Sequence, residues 1–222
     1  MQAVPFFDWR LNIMKFKRLV ASAVMGALVS GAACAHVKVG VISSSTGPIA
    51  MVGIPQKNSV PLMPTKVGNL TVQYIPLDDG SDPTASVVAI KKLISEENVD
   101  AIIGPSGSPN AMGVIQFAAE AGVPLLAPVG TAAVVLPMDD KKKWVFKTTQ
   151  NDQLIADALV GHMAKHGIKT VGFIGSSDPY GENWAKVFTE SAGRKGIKVV
   201  ASERFQRSDS SVTAQGLKLL MA

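Results

Sequence analysis

The stretch Val99–Gly113, VDAIIGPSGSPNAMG, joins a short apolar run to a loop of Gly, Pro and Ser and then to a helical pattern. The run Val99–Gly104 has the length and composition of a buried strand. A helix covering Ala111–Ala121 and closed by Gly122 follows it. Pro109 suits a first helical position, which makes Ser108 the expected N-cap. Where a strand ends and a helix begins, backbone N–H groups converge and the helix dipole adds partial positive charge, so such loops hold anions. Two readings of Ser108 follow. Its hydroxyl either caps its own helix or joins the free amides in holding a ligand oxygen.

Spacing narrows the anion. A nucleotide-phosphate loop needs G-x-x-x-x-G-K-[ST], whereas Gly104 and Gly107 are too close and no lysine follows. The dinucleotide pattern G-x-G-x-x-G is missing after Val37–Ile42, which runs into SSSTG. A singly charged carboxylate fits these loops better than a polyphosphate.

Working outward, strand and helix patterns alternate along the chain. Strands are predicted at 37–42, 70–77, 99–104, 123–128, 144–149, 169–175 and 197–205. Helices are predicted at 83–97, with Asp82 as N-cap, then at 111–121, 152–166 and 181–196, with a last one from about Ser210. Between Met51 and Pro64 a helix is expected that splits or kinks at Pro61, since proline in a helix interior costs about 3 kcal/mol. Strand–helix alternation at this spacing predicts an α/β fold with parallel sheets covered by helices. Ligands of such sheets bind beyond the carboxyl ends of the strands. The loops there, SSSTGP, GPSGSP, PVGTAAV, TTQND and GSSDPYGEN, offer hydroxyls, amides and carboxylates and few basic groups. Each alone could serve only to turn the chain and cap helices.

The 222 residues are 47% hydrophobic and 18% charged, a composition with enough apolar material for a substantial core. Of the net charge of +5, +3 falls within residues 1–35, so no nucleic-acid partner is indicated for the remainder. MKFKR at Met14–Arg18 precedes the apolar run Leu19–Ala35, and Ala33 and Ala35 frame a small-residue cleavage pattern. Residues 1–35 therefore read as a secretion signal, with Met14 an alternative start. Cys34 is the one cysteine. A lipidated Cys34 is disfavoured because Gly31 stands where a bulky apolar residue is usual. Cleavage after Ala35 leaves no thiol for disulfides, catalysis or metal.

Catalytic constellations are not found. His162 and His166 lie four apart on one predicted helix, but without the glutamate of H-E-x-x-H a solvated helix end is the better account. No G-x-S-x-G elbow occurs. No metal site and no cofactor are expected.

The ordered series VKVGVISSSTGPIAMVG, DDGSDP, VDAIIGPSGSPNA, GVPLLAPVGTA, VFKTTQND and GFIGSSDPYGENWA, following a secretion signal, resembles the type I periplasmic solute-binding proteins of ABC transporters. Its branched-chain amino-acid-binding branch is the most similar. The resemblance implies two doubly wound α/β lobes, here 36–150 and 151–222, that close on a small carboxylate-bearing ligand. It implies that Ser108 and Thr131 hold the carboxylate with backbone groups near Ser106 and Gly130. Asp152 would hold an ammonium, and Tyr180 would cover the ligand from the second lobe. The implied partners are an amino acid or an aromatic or aliphatic acid, and an ABC-type membrane permease, and the implied location of the protein is the periplasm. For a ligand without an ammonium, Asp152 would serve only as a helix cap. Val52 stands before Gly53 where the family often has an aromatic residue. The chain stops at Ala222, short of the family's usual length, so the second lobe is expected to be incomplete and to expose apolar surface. Two other classes are weighed against this one. An α/β enzyme with a phosphate-bearing cofactor lacks its phosphate motif, and a sugar-type repressor would need a helix-turn-helix where the signal segment lies.

Overall fold

The computed structural model describes residues 36–222. The secretion signal, the alternative start at Met14 and Cys34 lie outside the described residues. A six-stranded sheet is built from β1 (His36–Ser43), β2 (Lys66–Val67), β3 (Leu70–Asp78), β4 (Ala101–Ile103), β5 (Leu125–Ala127) and β6 (Val145–Lys147). Its order is β2-β3-β1-β4-β5-β6, and every pairing except the β2–β3 hairpin is parallel. The second sheet pairs β7 (Thr170–Ser176) with β8 (Lys198–Phe205), also parallel.

Burial explains the difference between these strands. Five successive residues, Val39 to Ser43, are buried in β1, as a strand covered on both faces requires. Helices α2 (Pro83–Ser95) and α3 (Ser108–Ala121) pack on the first sheet through Ile90, Leu93, Val114 and Ala118, against Ile42, Ile102 and Leu125. Asp82 caps α2 as expected, accepting from the Thr84 amide at 2.6 Å, with Pro83 in the first turn. The helix α1 (Ala50–Ser59) gives way at Val60 to a 3-10 turn containing Pro61, so the expected split occurs there. The short hairpin strand β2 is an addition to the sequence reading. Its two exposed residues carry no alternation to read.

Around the second sheet, α4 (Asp152–Lys165) and α5 (Pro179–Arg194) share a smaller core of Val160, Phe188, Ala192 and Ile197. The last helix, α6 (Thr213–Leu220), buries none of its residues. Ile174 and Val200 on the strands, with Leu217, Leu220 and Met221, leave the apolar surface expected of this part of the chain.

The chain runs outward from β1 to β3 and then returns to the other side of β1 with β4. That reversal puts a crevice between the loops after β1 and β4, where α/β sheets bind ligands. Gly104 makes the exit from β4 possible. Its φ of 110° is open to glycine and strained for other residues, and a Cβ there would stand 1.9 Å from the Ile42 carbonyl oxygen.

Candidate functional site

The loops at this reversal are tied to one another before any ligand is considered. Ser106 Oγ accepts from the Ser44 amide at 3.0 Å and donates to Gln56 Oε1, joining the loop after β4 to the loop after β1 and to α1. Asp78, at the end of β3, accepts from the Ser45, Thr46 and Gly80 amides and from the Thr46 hydroxyl. Partial burial pushes its carboxyl up, but these hydrogen bonds outweigh it and hold the pKa below the ordinary aspartate range.

The structure corrects the expected cap of α3. Gly107, not Ser108, is the N-cap, because the Ala111 amide bonds to the Gly107 carbonyl and Ser108 already lies in the helix. The Ser108 side chain is buried and makes no capping hydrogen bond. Ser108 and Asn110 fall in the first turn, where amides have no acceptor within the helix. The hydroxyl of Ser108 is therefore not consumed by its own helix. Asp152 receives the same correction. Asn151 is the N-cap of α4, and Asp152 is its first residue and caps nothing.

Two segments bring the second sheet's residues to this crevice. The crossover after β6 is fastened by Lys147 Nζ to the Thr149 and Gln150 carbonyls, and by Thr149 Oγ1 to the Val129 carbonyl at 2.6 Å. At the start of α5, Asp178 accepts from the Tyr180 and Gly181 amides. A cavity of about 390 Å³ results, lined on one side by Ser106, Gly107, Ser108 and Gly130 with Ile49 and Val52. On the other side it is lined by Thr149, Gln150, Asp152, Ile155, Tyr180, Trp184 and Arg207.

Five of the six expected site residues thus meet at one cavity: Ser106, Ser108, Gly130, Asp152 and Tyr180. Thr131 does not join them. It is fully buried, its Oγ1 accepts from the Ala133 amide, and it lines an adjoining hollow of about 650 Å³ together with Asp152, Asn183 and Pro137. The larger hollow collects only Thr131 and Asp152 of the expected set, so the smaller cavity is the candidate site. His162 and His166 stack with ring centroids 4.1 Å apart and line neither space.

The charges in the cavity are distinctive. Asp152 is 3% exposed. Burial pushes its carboxyl above the ordinary range, and a hydrogen bond from Asn183 Nδ2 at 2.6 Å and the Lys147 charge only partly oppose that. Its Oδ1 has no hydrogen-bond partner among the described residues, and it faces Gly130, where a Cβ would stand only 2.7 Å away. Burial also pushes the Lys147 ammonium down, with Asp152 opposing. A buried carboxylate with one free oxygen is suited to a cationic group. The Ser108 loop is suited to an anion, and the Tyr180–Trp184 pair, in edge contact at 6.4 Å, to an apolar body.

Trp184 and Arg207 went unread in the sequence. Trp184 lies four residues beyond Tyr180 on one helix face, a spacing that brings side chains together. Arg207 follows the carboxyl end of β8 by two residues, the position that singled out the other loops.

Residues 36–222 match the family described as periplasmic binding protein. This chain belongs to the periplasmic binding protein family, in its type I, leucine-binding-like branch. The Leu/Ile/Val-binding protein BraC3 of Rhizobium johnstonii is 25% identical over 208 residues, 90% of this chain and 56% of that protein. An extracellular ligand-binding receptor from Rhodopseudomonas palustris HaA2 superposes with a TM-score of 0.81 at 43% identity, covering 84% of this chain and 52% of the receptor. A leucine-binding protein from Thermotoga maritima gives 0.73 at 26% identity, over 83% and 53%. A solute-binding protein from R. palustris in complex with 4-hydroxybenzoate also gives 0.73 at 26%, over 82% and 51%. The chain thus spans about half the length of these binding proteins.

Proposed function

We propose that the protein is a non-enzymatic periplasmic receptor that binds a small amino acid in the cavity between its two sheets and presents it to an ABC-type permease. The observation that carries this reading is the meeting of the Ser108 and Gly130 loops with Asp152 and Tyr180 around one space. Carboxylate, ammonium and apolar body each find a matching surface there. The two halves are linked by the short Thr148–Asn151 crossover, so rotation about it would open and close the cavity. A ligand that prefers the closed form shifts the population towards it. The amino-acid-binding names among the relatives support the same class of solute.

An aromatic acid is the second reading, favoured by the Tyr180–Trp184 pair and by the relative in complex with 4-hydroxybenzoate. Thermal unfolding with leucine, glutamate and 4-hydroxybenzoate tests the receptor reading. A true ligand at about 100 times its Kd stabilises by about 2.7 kcal/mol, a shift of several degrees. No shift with any small carboxylate overturns it.

A further inference from the structure

Arg207 lies in the wall of the same cavity as Asp152, and the two do not pair with each other. The Nε of Arg207 donates to Asp178 Oδ2, and its guanidinium carbon lies 5.6 Å from the centroid of the Tyr180 ring. Among the described residues its two Nη atoms have no hydrogen-bond partner. Asp178 is shared among four donors, for it also receives the Tyr180 and Gly181 amides and the Ser176 hydroxyl. One edge of the guanidinium is therefore anchored and one face is near an aromatic ring. The free edge is a preset fork for a planar anion, with much of its rotamer freedom already lost.

We propose that Arg207 selects a ligand with a second carboxylate, so that the solute is an acidic amino acid rather than a branched-chain one. The inference rests on the receptor reading above. A 2-aminodicarboxylate places its first carboxylate at the Ser108 loop, its ammonium at Asp152 Oδ1 and its side-chain carboxylate at the Arg207 fork. An aliphatic side chain would cover the fork without pairing it, and a covered, unpaired charge is costly.

Calorimetric titration of glutamate, 2-aminoadipate, leucine and 4-hydroxybenzoate into the wild type, Arg207→Gln and Arg207→Lys decides the matter. The wild type is expected to bind glutamate or 2-aminoadipate at least about tenfold more tightly than leucine, and Arg207→Gln to lose about 10- to 100-fold for the acidic ligand, the range of a charged hydrogen bond. Leucine binding should tighten in that variant, because no charge is left covered and unpaired. Arg207→Lys, which keeps the charge beside Asp178 but not the fork, should fall between, and it decides the case alone if Arg207→Gln fails to fold. Preference for leucine or 4-hydroxybenzoate, or an equal loss for all ligands on changing Arg207, overturns the acidic ligand and leaves the receptor standing. Binding of none of the four by a wild type that melts cooperatively overturns both.

Discussion

Gly130 and Asp152 touch across the two halves of the cavity: a Cβ on Gly130 would stand 2.7 Å from Asp152 Oδ1, and 2.9 Å from Cε2 of Tyr180. Glycine at 130 thus lets a loop of the first sheet close against Asp152 and Tyr180, which line the cavity from the helices beside the second sheet. Gly130→Ala is expected to keep the fold, because the backbone there is open to alanine, while forcing Asp152 and Tyr180 aside. Overpacking of this kind costs about 1–3 kcal/mol. Calorimetry should record a loss of affinity of about 5- to 150-fold at that cost, and the unliganded protein should melt lower as well, since the contact is made without ligand.

Asp152 makes a prediction of opposite sign for stability and for binding. Its carboxyl is raised by burial, so the folded state favours the protonated form. The stabilising contribution is complete below the unfolded aspartate pKa and is lost as pH rises through the raised folded value. At pH 7 Asp152→Asn should therefore melt higher than the wild type without ligand, and the difference should vanish in acid. Binding of an ammonium-bearing ligand should fall by about 10- to 100-fold in the variant. In the wild type the same binding should weaken on acidification at a higher pH than an ordinary aspartate would allow.

The strands and helices were legible because each carries a periodic or punctuated signal. VDAIIG, closed by a glycine, and Pro83 behind Asp82 mark real element ends. The cap of α3 was not legible, since a serine before Pro109 looks the same whether the helix starts at Ser108 or after it. What decides it is the Ala111–Gly107 backbone bond, a three-dimensional fact. Five of the six expected residues line one cavity because the loops at strand ends converge. Thr131 was assigned to the same point, but the 3-10 turn at Ala132–Val134 takes its hydroxyl as a cap and turns it towards the adjoining hollow. Arg207 escaped because its meaning depends on Asp178 and Tyr180, 29 and 27 residues away.

Asp178 joins the cap of α5 to the anchoring of Arg207. Burial pushes its carboxyl up, but the Arg207 and Gly181 hydrogen bonds and the Arg207 charge outweigh this and hold it below the ordinary aspartate range. The sign of the linkage is then the reverse of that at Asp152. Its stabilising contribution is present above the unfolded value and lost as pH falls through the lowered one. Asp178→Ala should cost about 1–2 kcal/mol at neutral pH through the lost cap, measured by denaturant unfolding. The gap to the wild type should narrow below pH 4 or so, as Asp178 itself becomes protonated.

Two glycine-to-alanine changes, each inside a helix, should move stability in opposite directions. A Cβ on Gly53, in α1, would stand 2.0 Å from the Ser44 carbonyl oxygen and 2.8 Å from the Ser45 nitrogen. Those are backbone atoms held by Ser106 and Asp78, so they cannot swing away as a flexible side chain could. The helix must lift from the loop, carrying Val52 and Ile49 off the cavity wall. Gly53→Ala is expected to destabilise by about 1–3 kcal/mol and to weaken binding together with stability. Gly161, inside α4, has nothing within 4 Å of the same construction. Alanine there removes unfolded-state freedom without a clash, so Gly161→Ala should stabilise by about 0.4–1 kcal/mol and leave binding unchanged. Denaturant unfolding and calorimetry of both variants check the pair. Equal effects on stability would show that α1 is not seated on the Ser44 loop, and with that the rigid wall on which the Ser108 side of the cavity depends would be lost.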